Sequence, residues 1–156
     1  MITVIAVGQK QPDWVNAAFE DYASRLSGQW QILLKEVKAE PRTTGKTVEA
    51  MKLAEAERIR VALPKQSPCI FTLDERGKSY TTQQFAARLE IEINRHQHLA
   101  FLIGGPDGHD ETLKQDSHHL IRLSDMTLPH GLARVLLAEQ LYRAWSLLNH
   151  HPYHRA

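Results

Sequence analysis

The stretch LAFLIGGPDG, residues 99–108, opens as an unbroken apolar run and closes on glycines around a proline and an aspartate. A short apolar run bounded by turn residues reads as a strand buried on both faces. Such strands belong to parallel sheets covered by helices on each side. A pair of glycines leaving the strand lets a ligand approach the backbone closely, with main-chain N–H groups free to donate. The same residue types also make an ordinary tight turn, so the loop taken alone supports either reading.

Working outward, the rest of the chain repeats the alternation. ITVIAVG (2–8), WQILLKEV (30–37), CIFTLD (69–74) and HLIRLS (119–124) are further short runs suited to strands. Between them lie helical patterns. Val15, Phe19, Tyr22 and Leu26 recur at spacings of four, three and four after Pro12, and residues 47–63 stop at Pro64. Thr81 and Gln84 form a capping box ahead of a face made by Phe85, Leu89 and Ile93. The last helix runs from Pro129 to about Asn149, with Ala138, Leu141, Tyr142, Trp145 and Leu148 on one stripe and Glu139 and Arg143 off it. ERGKSY (75–80) reads as a turn, and KAEPRTTGK (38–46) as a mobile loop whose Arg42 and Lys46 are either plain solvated charges or phosphate contacts. The pattern predicts an α/β fold, a mostly parallel sheet with helices on both faces, with residues 1–156 forming one domain.

Bulk composition narrows the function classes. With 156 residues, 42% apolar and 24% charged, the chain is ordinary for a globular protein. No apolar run is long enough for a membrane span and no signal-peptide pattern opens the chain, so a cytoplasmic protein without membrane partners is expected. A net charge of +1 argues against indiscriminate nucleic-acid binding. It fits a substrate recognised by shape. The single cysteine, Cys69, lies in an apolar run and reads as a small buried side chain. There is no G-x-G-x-x-G after the first strand, no P-loop and no G-x-S-x-G elbow.

In open α/β sheets, ligands sit beyond the carboxyl ends of strands. Three such ends stand out: Leu73-Asp74, GGPDG (104–108) and LSDMTLPHG (123–131). Together they describe a small-molecule pocket lined mainly by main chain. The terminal LLNHHPYHRA (147–156) is unlike a disordered end. Its Tyr can stack on a base, its Arg can fork onto a phosphate and its His can move a proton. His150, His151 and His154 also invite a metal reading, but adjacent residues point apart and no acidic or cysteine partner lies nearby, so no metal is expected. His118-His119 reads as a surface turn, and His96 and His98 as solvated residues at a helix end.

LIGGPDG, LSDMTLPHGLARVLLAEQLYRAWSLL and the terminal HPYHR resemble the RlmH family, small SPOUT-class methyltransferases, and VIAVGQKQPDWV resembles that family's opening. The likeness spans essentially the whole chain and is poorest at residues 38–46 and 109–118. It implies transfer of a methyl group from S-adenosylmethionine to N3 of a pseudouridine in the helix 69 loop of 23S ribosomal RNA, on the assembled ribosome. It also implies a C-terminal trefoil knot, which general rules of chain topology would have rejected. The cofactor contacts it implies are Leu73, Gly104, Leu123, Ser124, Asp125, Met126, Thr127 and Leu128, at the three strand ends already singled out. A homodimer is implied, with the last helix at the interface and one subunit's tail reaching the other's pocket. Tyr153, His154 and Arg155 are then candidates for the RNA-facing wall, with Arg143 pointing toward it. His154 is a candidate base for the imide proton, with Tyr153 or water as alternatives. The rival from another class is a non-catalytic ribosome- or RNA-binding module of the same fold. Below it stands a metal-dependent hydrolase built on the histidine tail.

Overall fold

The computed structural model describes residues 1–43 and 45–155, apart from the side chain of Arg155. Strands β1 (Ile2–Val7), β2 (Ile32–Val37), β3 (Cys69–Ser79), β4 (Leu99–Ile103) and β5 (His119–Arg122) form one sheet in the order β2-β1-β4-β3-β5. Every pairing is parallel. Helices α1 (Asp13–Ala23), α2 (Val48–Ala62), α3 (Thr82–Arg95), α4 (Glu111–Gln115) and α5 (His130–Leu148) supply the crossovers and the C-terminal layer.

The period of two along β1 divides the core. Ile2, Val4 and Ala6 face a cluster with Phe19 of α1, Leu89 of α3 and Leu137 and Leu141 of α5. Ile5 and Val7 face the other side, with Ala56 and Ile59 of α2 and Leu113 of α4. Both faces of the sheet are thus covered, which is why β1 and β4 are apolar throughout. Phe71 and Phe101 stack at 4.8 Å on the first face, and Phe85 meets Phe101 edge-on at 6.2 Å. Truncating a buried leucine such as Leu141 to alanine would cost about 2–5 kcal/mol.

Local signals hold where they were strongest. Thr81 Oγ1 accepts from Gln84 N at 3.1 Å and Gln84 Oε1 accepts from Thr81 N at 3.0 Å, completing the capping box. Thr47 caps α2 by accepting from Ala50 N. Tyr142, at 6% exposure, belongs to the core of its own chain, while Trp145 is half-buried beside it.

Several expectations need correction. ERGKSY does not end its strand: β3 continues to Ser79. Leu73 and Lys78 both align with Ile121 of β5, so residues 74–77 leave the ladder and return to the same partner. Gly77 makes this possible, because a Cβ there would lie 2.5 Å from the carbonyl carbon of Ile121. Trp30 belongs to a 3-10 turn rather than to β2. Residues 111–115 form α4, which the polar sequence did not announce, capped by Asp110.

The described residues of the segment 38–46 are tied down rather than free. Glu40, buried at 5% exposure, pairs with Lys46 and with Arg58 (2.7 Å). Arg42 contacts Glu55 at 3.0 Å and Asp107 at 3.0 Å. Both cations proposed for phosphates are therefore spent on carboxylates of the same chain. His118-His119 is not a plain surface turn either. His119 opens β5 and stacks on Phe71 at 4.5 Å, and His118 Nδ1 accepts from Ile70 N.

Candidate active site

Because β4, β3 and β5 are adjacent and parallel, the loops that follow β4 and β5 and the 74–77 excursion within β3 emerge on one side of the sheet. They enclose a cavity of about 820 Å³. Its walls are Leu73–Arg76, Ile103–Gly108 and Ile121–Ser124, with Met126–His130 and Ala133 completing the third wall. Lys52, Glu111 and Lys114 add charges at its border. A volume of this size suits a cofactor-sized molecule.

The second wall is set by glycine geometry. Gly108 N donates to Gly105 O at 3.0 Å, closing a turn in which Gly108 has φ +81°. At Gly104 a Cβ would come within 3.1 Å of Gly108 C and 3.2 Å of His109 Nε2. The turn reading of GGPDG therefore holds, and the tight turn presents the backbone to the cavity. Behind it, the His109 ring is buried, with Nε2 3.3 Å from Leu102 O. Burial lowers its pKa to about 4, so the ring is neutral at pH 7, and Nε2–H must then be the donor to that carbonyl.

The first and third walls are ordered by small polar contacts. Asp74 accepts from Arg76 N at 2.7 Å and pairs with Lys114 at 2.6 Å. Burial opposes its ionisation, but those two partners win and hold its pKa below the usual carboxylate value. Ser124 Oγ accepts from Met126 N at 2.9 Å, folding the 123–128 segment into a turn. Met126 is 79% exposed, a large apolar side chain left uncovered at the rim.

Of the cofactor positions expected from sequence, Leu73, Gly104, Leu123, Ser124, Met126, Thr127 and Leu128 all line this cavity. Asp125 does not. Its side chain faces solvent and pairs with Arg122 at 3.0 Å.

The tail forms a second cluster, away from the cavity. The chain turns at His150 (φ +54°), and residues 152–155 fold back as a 3-10 turn along α5. Ser146, fully buried, anchors the return: its Oγ donates to His151 O at 3.0 Å and lies 2.9 Å from His154 Nδ1. Tyr153 packs on Tyr142 at 4.5 Å and donates its hydroxyl to Glu139 at 3.0 Å. Arg143 pairs with Glu139 at 2.8 Å and sits 4.9 Å from the Tyr153 ring. Burial, with Tyr22 and Glu139 as neighbours, pushes the Tyr153 phenol well above its ordinary value. The structure thus brings Tyr153, His154 and Arg143 together on the C-terminal half of α5, and the Arg155 side chain lies outside the described residues. None of the three lines the cavity, which meets α5 at its other end, at His130 and Ala133. Glu139 lies nine residues beyond His130, about 14 Å along the helix.

Sequence reasoning missed Arg134. It is 1% exposed, yet it donates to Glu36 Oε2 at 2.5 Å and to Gly8 O at 2.6 Å. It fastens the first turns of α5, and hence the third wall, to the ends of β1 and β2. The available signal was its position four residues before Ala138, on the apolar stripe.

This parallel α/β architecture, with its cavity built from three successive strand ends, is that of the SPOUT methyltransferase class. A family model described as predicted SPOUT methyltransferase matches residues 1–154. Two solved structures share the fold. A probable methylase family protein from Haemophilus influenzae Rd KW20 aligns with TM-score 0.59 at 10% identity, over 97% of this chain and 69% of that one. A probable methyltransferase from Bordetella pertussis Tohama I aligns with TM-score 0.55 at 19% identity, over 92% and 95%. Among curated relatives, ribosomal RNA large subunit methyltransferase H of Methylibium petroleiphilum is 54% identical, over 99% of this chain and 98% of that protein. The protein of the same name in Bordetella avium is 52% identical over 99% of each. The chain belongs to the ribosomal RNA large subunit methyltransferase H family of SPOUT methyltransferases.

Proposed function

We propose that this chain is a single-domain cytoplasmic enzyme that methylates N3 of a pseudouridine in the helix 69 loop of 23S ribosomal RNA, in the assembled ribosome. The methyl donor is S-adenosylmethionine, held by Leu73, Gly104 and the 123–128 segment. The observation that carries this reading is the convergence of those positions, Asp125 excepted, on one cavity of about 820 Å³ behind a glycine turn.

The cofactor supplies an electrophilic methyl group, and the protein's task is alignment. The imide N3–H loses its proton as the N–CH₃ bond forms and the S–CH₃ bond breaks, leaving S-adenosylhomocysteine. Residues 153–155, with Arg143, form the RNA-facing wall. In one chain that wall stands away from the cavity, so the reading requires a homodimer in which one copy's tail serves the other's pocket. His154 is the better base. Its Nδ1 is occupied by Ser146, leaving Nε2 as the atom substrate would meet. Tyr153 holds its proton too tightly to accept one from substrate at neutral pH. The C-terminal trefoil knot belongs to the same proposal.

The test is methyl transfer from labelled S-adenosylmethionine to ribosomes lacking the modification, beside free large subunits and naked ribosomal RNA, with the product nucleoside identified by mass spectrometry. Methylpseudouridine on assembled ribosomes is the expected result. Cofactor binding without transfer would mean a wrong RNA target. Ribosome binding without cofactor binding would establish the non-catalytic module instead.

A further inference from the structure

At the opposite end of the sheet from the cavity, three metal-ligating side chains converge on one buried carboxylate. Glu92, near the end of α3, is 5% exposed. Its Oε2 lies 3.4 Å from Cys69 Sγ, at the start of β3, and 3.4 Å from His96 Nε2, which follows α3. Its Oε1 lies 3.4 Å from His119 Nε2, at the start of β5, and 3.5 Å from Arg88 Nη1. The ligand atoms of Cys69, Glu92 and His96 all lie within 4.8 Å of one another. Among the described residues this is the one group of three or more such side chains so placed.

We propose that Cys69, Glu92 and His96 form a structural zinc site, with His119 as the imidazole that completes four ligands. One thiolate, one carboxylate and two imidazoles are a donor set that selects zinc over magnesium or calcium. Tetrahedral bonds of 2.0–2.3 Å put ligand atoms roughly 3.3–3.8 Å apart. The two contacts to Oε2, from Cys69 and His96, already fall in that range, while His119 lies against the other carboxylate oxygen and joins the set by turning toward the ion. Loading removes the proton from Cys69, which burial pushes up to about 12 in the metal-free state, so one proton leaves as the Zn–S bond forms. Glu92 enters ionised: burial opposes its charge, but the thiol, His119 and His96 hold its pKa below the usual value. The two anionic ligands offset the ion's two charges, and the Arg88 guanidinium, one-third exposed, is left to solvent as the remaining cation. His96 is half-buried and gives the ion its entry from solvent. The bound ion would pin the end of α3 to the strand that feeds the 123–128 segment. It takes no part in methyl transfer, and it replaces the expectation of a metal-free chain.

The experiment uses untagged full-length protein dialysed against zinc-free buffer, titrated with zinc chloride by calorimetry and then with cobalt(II) chloride by absorption. The expected result is one ion per chain, a thiolate-to-cobalt charge-transfer band and a raised Tm on loading. Cys69→Ser should lose the band and weaken binding by about 100-fold or more, beyond the 10–100-fold typical of outer-shell changes. Should that variant fail to fold, His96→Gln, at a half-exposed helix end, gives the same reading with circular dichroism as the fold control. The His150→Ala/His151→Ala variant should bind as the parent does. Zinc bound equally by the Cys69 and His96 variants, or a band that survives in them, would overturn the assignment. So would the absence of binding by the parent.

Discussion

Arg42 Nε stands 3.0 Å from Asp107 Oδ2, so the segment after β2 holds the tip of the GGPDG turn. The same guanidinium rests on Glu55, whose Oε1 would lie 3.1 Å from a Cβ at Gly105. Arg42→Ala should therefore weaken S-adenosylmethionine binding about 2–5-fold, the scale of a partly exposed ion pair. Stability should fall by about 1–3 kcal/mol as the buried Glu55 carboxylate loses its cation and keeps only the bond from Glu40 N. Calorimetric titration and urea unfolding measure the two, and adding Glu55→Gln should restore part of the stability. A variant that binds cofactor normally but binds ribosomes poorly would return Arg42 to the role of phosphate contact.

His109 gives the second wall a pH dependence. In the unfolded chain the ring titrates near 6.5, and in the fold near 4 because burial disfavours the cation. Between those values the unfolded state binds more protons, so stability rises with pH across that window. The contribution is complete above about pH 6.5 and is lost as pH falls to 4, a change of about 3 kcal/mol. Urea unfolding from pH 4.5 to 7 should show this slope, and His109→Asn should flatten it.

Gly77 should tolerate no side chain. Its backbone conformation is not the cause, since φ lies outside the left-handed range; the obstacle is the main chain of Ile121 at 2.5–2.7 Å. Gly77→Ala should destabilise the protein by about 3 kcal/mol or more, at the upper end of overpacking costs. Displacement of β5 should carry the 123–128 segment with it and abolish cofactor binding. A variant with unchanged Tm and cofactor affinity would contradict the seating of residue 77 on β5.

The tail separates a base from a support. His154→Ala should leave cofactor affinity within about twofold and cut turnover at saturating ribosome by about 10²–10⁴, the range for a general base. Tyr153→Phe removes one hydrogen bond to Glu139 and should cost about 1 kcal/mol of stability with turnover kept within a few-fold. Unchanged turnover in the histidine variant would take His154 out of the base role.

What could be read in advance follows from how local each signal is. Strand and helix positions, the Thr81–Gln84 box and the three loops around the cavity depend on neighbours in sequence, and they stood out there. The strand character of residues 75–79 did not, because ERGKS carries the chemistry of a turn and its pairing partner lies more than 40 residues away. Glu40, Arg42 and Lys46 read as solvated loop charges, and only the folded chain sets Glu55 and Asp107 against Arg42. Arg134 sat in plain view on an apolar stripe, but its acceptors come from β1 and β2. The gathering of Cys69, Glu92, His96 and His119 is likewise a product of two crossovers, invisible to any spacing rule for metal ligands.

The cavity's walls come from positions 73–76, 103–108 and 121–133, and their order along the chain has a consequence for synthesis. A growing chain carries the first two walls while the third is still to be translated. Arg134, which fastens that third wall to Gly8 and Glu36, arrives later still. The cavity thus stays open on one side until residues 121–133 and Arg134 have been made, so a chain cut short of them has two walls and no third.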